Sequence, residues 1–238
     1  VTVGSDVVLD FEATGSGGTV SFGAGTTLAL GSNGLTITAD EIDFLGGANS
    51  ITGSNAGTLT LQGQQAGTTI GLGNGAGTLS LDATDLAAIS NDAVALIQIG
   101  RTNQSGLMTI GTSGVTFNDA VSLRGSNGTI AVLGTLTGGD ATDSTLTLDG
   151  QTNALSANLV TSGQAISVTG GTTLNVAAVT LDTTNAGGTA AGSTITVNGT
   201  VNSFDATRRS LTLNAGTSGT VAGTATYGQT NPLNAFSI

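Results

Sequence analysis

The sequence contains no cysteine, histidine, lysine or tryptophan among its 238 residues. The absence of cysteine excludes disulfide bonds, thiolate zinc sites and cysteine nucleophiles. The absence of histidine and lysine excludes the usual Ser-His-Asp triad, its serine–lysine variant and Schiff-base catalysis. The most common routes to covalent enzyme catalysis are therefore closed to this chain.

Positive charge is scarce as well, because four arginines face 15 acidic residues and the formal net charge is -11. Nucleic-acid binding depends on clustered Lys and Arg, so we expect no nucleic-acid partner. No run of about eighteen apolar residues is present, and we therefore expect no membrane insertion in this segment.

Aromatic residues make up only 3% of the chain, whereas aliphatic residues are frequent enough to give a mean hydropathy of +0.27. This hydrophobicity argues against disorder. The 39 glycines lack the three-residue spacing of collagen and instead separate apolar runs, as turn residues do. The predicted core is built from Val, Ile, Leu and Ala.

Short apolar runs with a period of two recur along most of the sequence, with segments such as GSNG and GNGAG between them. This pattern predicts short β-strands joined by turns. The predicted strands lie at 19–22, 27–30, 35–38, 42–45, 58–61, 69–72, 78–81, 107–110, 115–117, 121–123, 129–138, 145–148, 166–170, 173–181, 194–201 and 210–216.

The predicted fold class is all-β, and about sixteen strands are too many for one typical sandwich. A solenoid has no such limit, because each coil buries its inward side chains against the next coil. We therefore predict a parallel β-helix of roughly ten to twelve coils, at about twenty residues per coil. Nothing Pro-rich or strongly charged interrupts the pattern, so residues 1–238 should form one domain.

The segment DATDLAAISNDAVALIQIGR at 82–101 departs from this pattern, because its apolar residues recur every three or four positions. This spacing predicts one short helical insertion near 85–90, with Thr84 or Asp85 as the N-cap and no Glu or Gln to complete a capping box. After the turn SNDA, the segment VALIQIG should resume as a strand.

Two groups of acidic residues are the strongest candidates for chemistry: Asp40, Glu41 and Asp43 in the first, and Asp140 and Asp143 in the second. We interpret them as solvated loop acids. The alternative is a glycan-binding or polysaccharide-cleaving β-helix that uses these surface carboxylates. It requires the acids to converge in a cleft with exposed aromatic rings, and Glu41 and Asp43 to share the outer face of one strand.

Calcium is a further use of acidic residues. The segment LGGANSITGSN at 45–55 lacks the Asp of the tandem calcium repeat, which argues against a calcium roll but leaves open an isolated ion at Asp40 and Asp43. Our prediction is no catalytic residue, no cofactor and no metal-binding residue.

Pairs of the form Thr-x-Thr occur at 36/38, 58/60, 145/147 and 194/196. An ordered ice-binding face would need such pairs in register on one flat side. Their irregular spacing indicates instead that they are scattered, exposed strand residues.

The segment ALIQIGRTNQSGLMTIG at 95–111 resembles repeat modules of very large secreted bacterial surface proteins of the filamentous-haemagglutinin type. In those modules, an apolar strand ending in Ile-Gly-Arg leads through a polar turn into a strand ending in Ile-Gly. The matching residues here are Ile99, Gly100, Arg101, Gly106, Ile110 and Gly111. Similar segments follow at 115–125, 193–203 and 210–221.

This resemblance implies a right-handed parallel β-helix within an elongated exported adhesin, and it offers no catalytic residue to transfer. We expect a non-enzymatic structural or interaction segment that acts as a rigid rod in adhesion or surface display, extracellular or on the bacterial cell surface. Because the start VTVGSDVV has neither Met nor a basic n-region, we expect a segment of a longer polypeptide. The expected partners are a host-surface protein or glycan and coils of the same longer chain at both ends.

Overall fold

The computed structural model describes residues 1–10 and 17–238. This part of the chain consists almost entirely of parallel β-strands, with one five-residue helix. The prediction of an all-β fold is therefore confirmed. The strands are β1 Val7–Asp10, β2 Thr19–Phe22, β3 Leu28–Gly31, β4 Leu35–Thr38, β5 Glu41–Phe44, β6 Ile51–Gly53, β7 Thr58–Gln62, β8 Ile70–Leu72, β9 Leu79–Leu81, β10 Leu96–Ile99, β11 Met108–Ile110, β12 Val115–Phe117, β13 Val121–Val132, β14 Leu136–Gly138, β15 Leu146–Leu155, β16 Leu159–Thr161, β17 Ile166–Leu174, β18 Ala178–Asp182, β19 Ile195–Asn198, β20 Thr200–Ser203, β21 Ser210–Asn214, β22 Val221–Ala222, β23 Thr226–Tyr227 and β24 Ala235–Ser237.

The largest sheet follows the order β1-β4-β7-β10-β13-β15-β17-β19-β22, and every pairing along it is parallel. A second sheet has the order β12-β14-β16-β18-β21-β24, and β2–β5 and β3–β6 form two small parallel sheets. In each sheet, a strand pairs with the strand that passed the same place one repeat earlier. The sheets therefore grow in the direction of their hydrogen bonds.

The repeat is longer and less regular than the predicted twenty residues. Paired positions in the largest sheet are separated by 20 residues between Leu146 and Ile166 and by 38 residues between Leu59 and Ile97. The longest interval contains β8, β9 and the helix. Nine strands therefore lie along the main path, fewer than the ten to twelve coils that a twenty-residue repeat gives.

The parallel register stacks aliphatic side chains on one another. One buried row and its neighbour two residues further on belong to a single hydrophobic cluster that also includes residues of the second sheet. The first row is Leu35, Leu59, Ile97, Val121, Leu146, Ile166 and Ile195, and the second is Ile37, Leu61, Ile99, Leu123, Leu148, Val168 and Val197. Each such side chain contributes about 1.5–3 kcal/mol when it is fully buried.

The residues between these two rows are partly exposed and mostly carry hydroxyl groups. In sheet order they are Thr36, Thr60, Gln98, Ser122, Thr147, Ser167 and Thr196. The interpretation of the Thr-x-Thr pairs as scattered is thus wrong for four of these threonines, because unequal loops bring them into one row. Gln98 and two serines interrupt the row.

The helix α1 spans Ala83–Ala87. Its N-cap is Asp82, not Thr84 or Asp85, and Asp85 completes a capping box. Ile89 then forms a parallel bridge with Ile51 of β6, so the segment after the helix extends a small sheet. The chain returns to the main sheet at β10, as predicted. No helix in the described ranges is long and apolar enough to cross a membrane.

Candidate functional site

The first acidic group lies on and around β5. Glu41 and Asp43 share its outer face while Ile42 and Phe44 are buried, which confirms the predicted alternation. Asp40 precedes the strand, and its Oδ2 accepts a hydrogen bond of 3.1 Å from the Gly17 amide. The strand period thus brings two carboxylates together.

Helix α1 adds a carboxylate to this group. The side chain of Asp85 is buried, and its two oxygens accept hydrogen bonds from the amides of Phe44 at 2.8 Å and Asp82 at 3.0 Å. Burial raises the pKa of Asp85, and burial followed by the charges of Asp43 and Asp85 raises the pKa of Glu41. Because backbone amides occupy both oxygens of Asp85, its first role is to dock α1 onto β5.

Exposed aromatic rings do not accompany this first group in the described residues. Phe44 is buried and stacks on Phe22, with their ring centroids 5.3 Å apart. The clearly exposed rings, Phe204 and Phe236, lie in or near the C-terminal strands. A sugar-stacking platform, which the polysaccharide alternative requires, is therefore missing at β5.

The second acidic group, Asp140 and Asp143, lies in the loop between β14 and β15, and its two members have different partners. Asp140 accepts hydrogen bonds from the Thr142 amide at 2.6 Å, the Thr142 hydroxyl and the Asn91 amide nitrogen at 2.8 Å, and these contacts lower its pKa. Asp143 is held at 2.8 Å by the Nδ2 of Asn55. The loop thus contacts residues far back in the sequence.

Asp143 belongs to a cluster that the sequence did not reveal. Carboxylate oxygens of Asp92, Asp119 and Asp143 all lie within 4.8 Å of one another. We call these three residues the carboxylate triad. Two full negative charges at about 5 Å repel by roughly 3 kcal/mol at an effective dielectric constant of about 20.

Three successive turns position the triad. Asp92, Asp119 and Asp143 lie in the turns before β10, β13 and β15, which are consecutive neighbours in the main sheet. Parallel pairing therefore stacks the turns at one edge of the strands. Asp92 has a positive φ of 58°, which a short polar side chain tolerates, and its amide donates a 2.8 Å hydrogen bond to the Oδ1 of Asp119.

Asp119 is the buried member of the triad, with only 1% of its surface exposed. Burial raises its pKa to about 6, the nearby charges of Asp143 and Asp92 contribute to the rise, and the amides of Asp92 and Val94 oppose it. The Val94 amide faces the carboxylate without completing a hydrogen bond. The Oδ2 of Asp119 and the Oδ1 of Asp143 are both buried, and neither has a hydrogen-bond partner among the described residues.

No arginine neutralises the triad in the described part of the chain. Arg101 donates to the carbonyl oxygens of Gly63 and Gln64, and the only ion pair found there joins Arg209 to Asp205. The amide nitrogen of Asn55 lies 3.3 Å from Asp92 and 2.8 Å from Asp143. A neutral amide is thus the strongest donor that bridges two of the carboxylates.

The tetrapeptide Asn-Asp-Ala-Val occurs twice, at 91–94 and at 118–121, and it carries both triad residues that sequence reasoning missed. This repetition was a usable signal. The two copies are not in register, because Val121 pairs with Ile97 and not with Val94. The offset lets the amide of one Asp reach the carboxylate of the other.

A groove of about 430 Å³ lies beside the triad. Its walls include Leu86 and Ile89 from the helical segment, Val115 and Phe117 from β12, and Asp119. Ligand pockets start at about this size, but Phe117 is buried and offers no free ring face. The groove therefore combines an apolar wall with one carboxyl group.

No protein family model, curated protein sequence or solved structure matches the chain.

Proposed function

We propose that this chain is a right-handed parallel β-helix and that it acts as a non-enzymatic, rigid structural or interaction segment of a large secreted or cell-surface bacterial protein. The observation that carries the proposal is the unbroken parallel order of the main sheet over a continuous aliphatic core. Such a stack extends in one dimension and suits a spacer or an adhesive rod. The partners would be a host-surface protein or a glycan, with further coils of the same polypeptide at its ends.

Distance measurements between spin labels test the rod. The chain has no native cysteine, so cysteines introduced as Thr36→Cys with Thr60→Cys, Thr147→Cys or Thr196→Cys label one outward row. Strands are spaced by about 4.8 Å, so the label separation should grow steadily to about 30 Å for the outermost pair. A separation that stops growing with strand number would contradict the rod.

An adhesion assay tests the activity. Beads coated with the chain should bind host-cell monolayers or immobilised glycans more than beads coated with a folded acidic protein of the same charge. Equal binding by both kinds of bead would remove direct adhesion and leave the spacer role, whose test is the label series.

The second function is glycan binding or polysaccharide cleavage, and the raised pKa of Glu41 beside Asp43 favours it because a carboxyl group that holds its proton suits a general acid. Reducing-end release from neutral and acidic polysaccharides tests it, with Glu41→Gln and Asp43→Asn as variants. We expect no release. Release by the native chain that disappears in either variant would replace the non-enzymatic proposal.

A further inference from the structure

The carboxylate triad differs from the other buried carboxylates in being incompletely hydrogen-bonded. Asp182, also buried, accepts hydrogen bonds from the Thr184 amide and hydroxyl, the Ala186 amide and the Asn214 side chain. Both oxygens of Asp85 are occupied by backbone amides. The protein thus satisfies buried carboxylates elsewhere, whereas two buried oxygens of the triad, on Asp119 and Asp143, have no partner.

We propose that Asp92, Asp119 and Asp143 bind a divalent cation, and that this cation is Ca²⁺. A cation between the three carboxylates would supply the partner that both orphan oxygens lack and offset the repulsion among the three charges. This inference is independent of the rod proposal, because the geometry of the triad holds for any role of the chain.

The chemistry of the available ligands selects a hard cation. The chain has no cysteine or histidine, so the triad offers oxygen atoms alone. Zinc and copper sites generally use nitrogen or sulfur ligands. Ca²⁺ accepts carboxylate and amide oxygens in irregular arrangements, whereas Mg²⁺ demands near-octahedral geometry and retains its waters. Carboxylates on three separate turns suit the more tolerant ion.

Asn55 is the natural fourth ligand. Its amide nitrogen already lies 2.8 Å from Asp143 and 3.3 Å from Asp92. The oxygen and nitrogen of an amide exchange places by a rotation of about 180°, and their assignment follows the hydrogen-bond network. With a cation present, the amide oxygen can face it from the same position.

The ion would join four turns of the chain. Asn55 precedes β7, and the triad residues precede β10, β13 and β15, so the ligands come from the turns before four consecutive strands of the main sheet. Binding would fasten the loop at 139–145 to residues 55 and 92. We therefore expect Ca²⁺ to protect this edge of the sheet from proteolysis and unfolding.

Isothermal titration calorimetry of the EDTA-treated full chain with CaCl₂ tests the proposal. We expect one site with a dissociation constant of about 10⁻³ M or tighter and at least tenfold weaker binding of MgCl₂. Asp119→Asn should weaken Ca²⁺ binding at least tenfold, and Asn55→Ala should weaken it less. Asp43→Asn, in the acidic group on β5, is the matched control and should bind as the native chain does.

Asp143→Asn provides a second test on a partly exposed residue, in case Asp119→Asn does not fold by circular dichroism. Ca²⁺ should raise the melting temperature of the native chain and of Asp43→Asn, but not that of Asp143→Asn. The proposal is wrong if no calcium heat appears, if Mg²⁺ binds equally well, or if Asp143→Asn and the native chain bind alike.

Discussion

Gly170 shows how single residues make the close stacking of strands possible. It lies in β17 with a φ of 99°, and a Cβ atom there would be 1.9 Å from the carbonyl oxygen of Gly150 on the neighbouring strand. The register of this strand pair shifts between Asp149 and Thr152, close to that contact. Only a residue without a side chain fits the irregularity.

Gly170→Ala should therefore lower the free energy of unfolding by about 2 kcal/mol or more, because the positive φ alone costs about 1–2 kcal/mol for a residue with a Cβ atom. Urea denaturation measures the change. Gly67→Ala is the control, because no atom lies within 4 Å of its Cβ position and its φ is not in the positive range. Equal stability of the two variants would contradict this role of Gly170.

Residue-level prediction from the sequence succeeded where the strand period decides the outcome. The outward placement of Glu41 and Asp43 follows from alternation around Ile42 and Phe44. The triad was missed because its members lie in turns 27 and 24 residues apart in the sequence, at 92, 119 and 143. Their convergence depends on which turn lies above which, and only the pairing register specifies that.

Helix α1 shows how tertiary contacts select among local alternatives. Its period of three to four predicted a helix in this segment, but Asp82, Thr84 and Asp85 are all short polar side chains able to cap it. The choice depends on β5, since the Phe44 amide needs a partner and Asp85 provides it from the third helical position. Asp82 is left to act as the N-cap.

Asp85→Ala should thus destabilise the protein more than Asp82→Ala. Loss of the N-cap costs about 1 kcal/mol. Loss of Asp85 removes the capping-box contact and leaves the buried Phe44 amide unpaired, which adds about 1–3 kcal/mol. Denaturant unfolding of both variants measures the difference, and a larger effect of Asp82→Ala would show that docking onto β5 contributes little.

The short strands β6 and β16 and the C-terminal strands β22, β23 and β24 were absent from the sequence prediction. Each has two or three residues, too few for a period-two pattern to be recognised. They exist because an adjacent parallel strand offers hydrogen-bonding groups: β6 pairs with β3, and β24 pairs with β21. Neighbouring strands, and not local sequence, define these elements.

For the molecule as a whole, the acidic surface implies a stability that depends on pH. Glu41 and Asp85 have raised pKa values in the folded state, so the folded chain binds protons more tightly than the unfolded chain. The free energy of unfolding must then fall as pH rises through these values. Self-repulsion of the net charge of -11 acts in the same direction.

In EDTA-containing buffer, the melting temperature should rise as pH is lowered from 8 to about 5. Below about pH 4 it should fall again, because Asp140 and Asp182 have lowered pKa values and lose their hydrogen-bonded ionised forms. Calorimetry across this range measures the profile. Glu41→Gln should reduce the rise between pH 7 and 5, and an unchanged slope would exclude Glu41 as a contributor.

The all-β class and the alternation of buried and exposed residues followed from composition and period alone. The count of coils did not, because unequal loops and the insertion around α1 lengthen the repeat. Physical chemistry fixes the inward rows strongly, since each aliphatic residue must be buried, but it fixes the lengths of solvent-exposed connections only weakly.

The strand order of the main sheet has a consequence for how the chain acquires its structure. Along β1-β4-β7-β10-β13-β15-β17-β19-β22, spatial order and chain order coincide. Each new strand therefore finds its template already in place, and none must wait for a partner that is synthesised later. A chain released gradually from either end can fold vectorially, adding one strand at a time to a growing edge and never exposing more than about one repeat of unpaired apolar sequence.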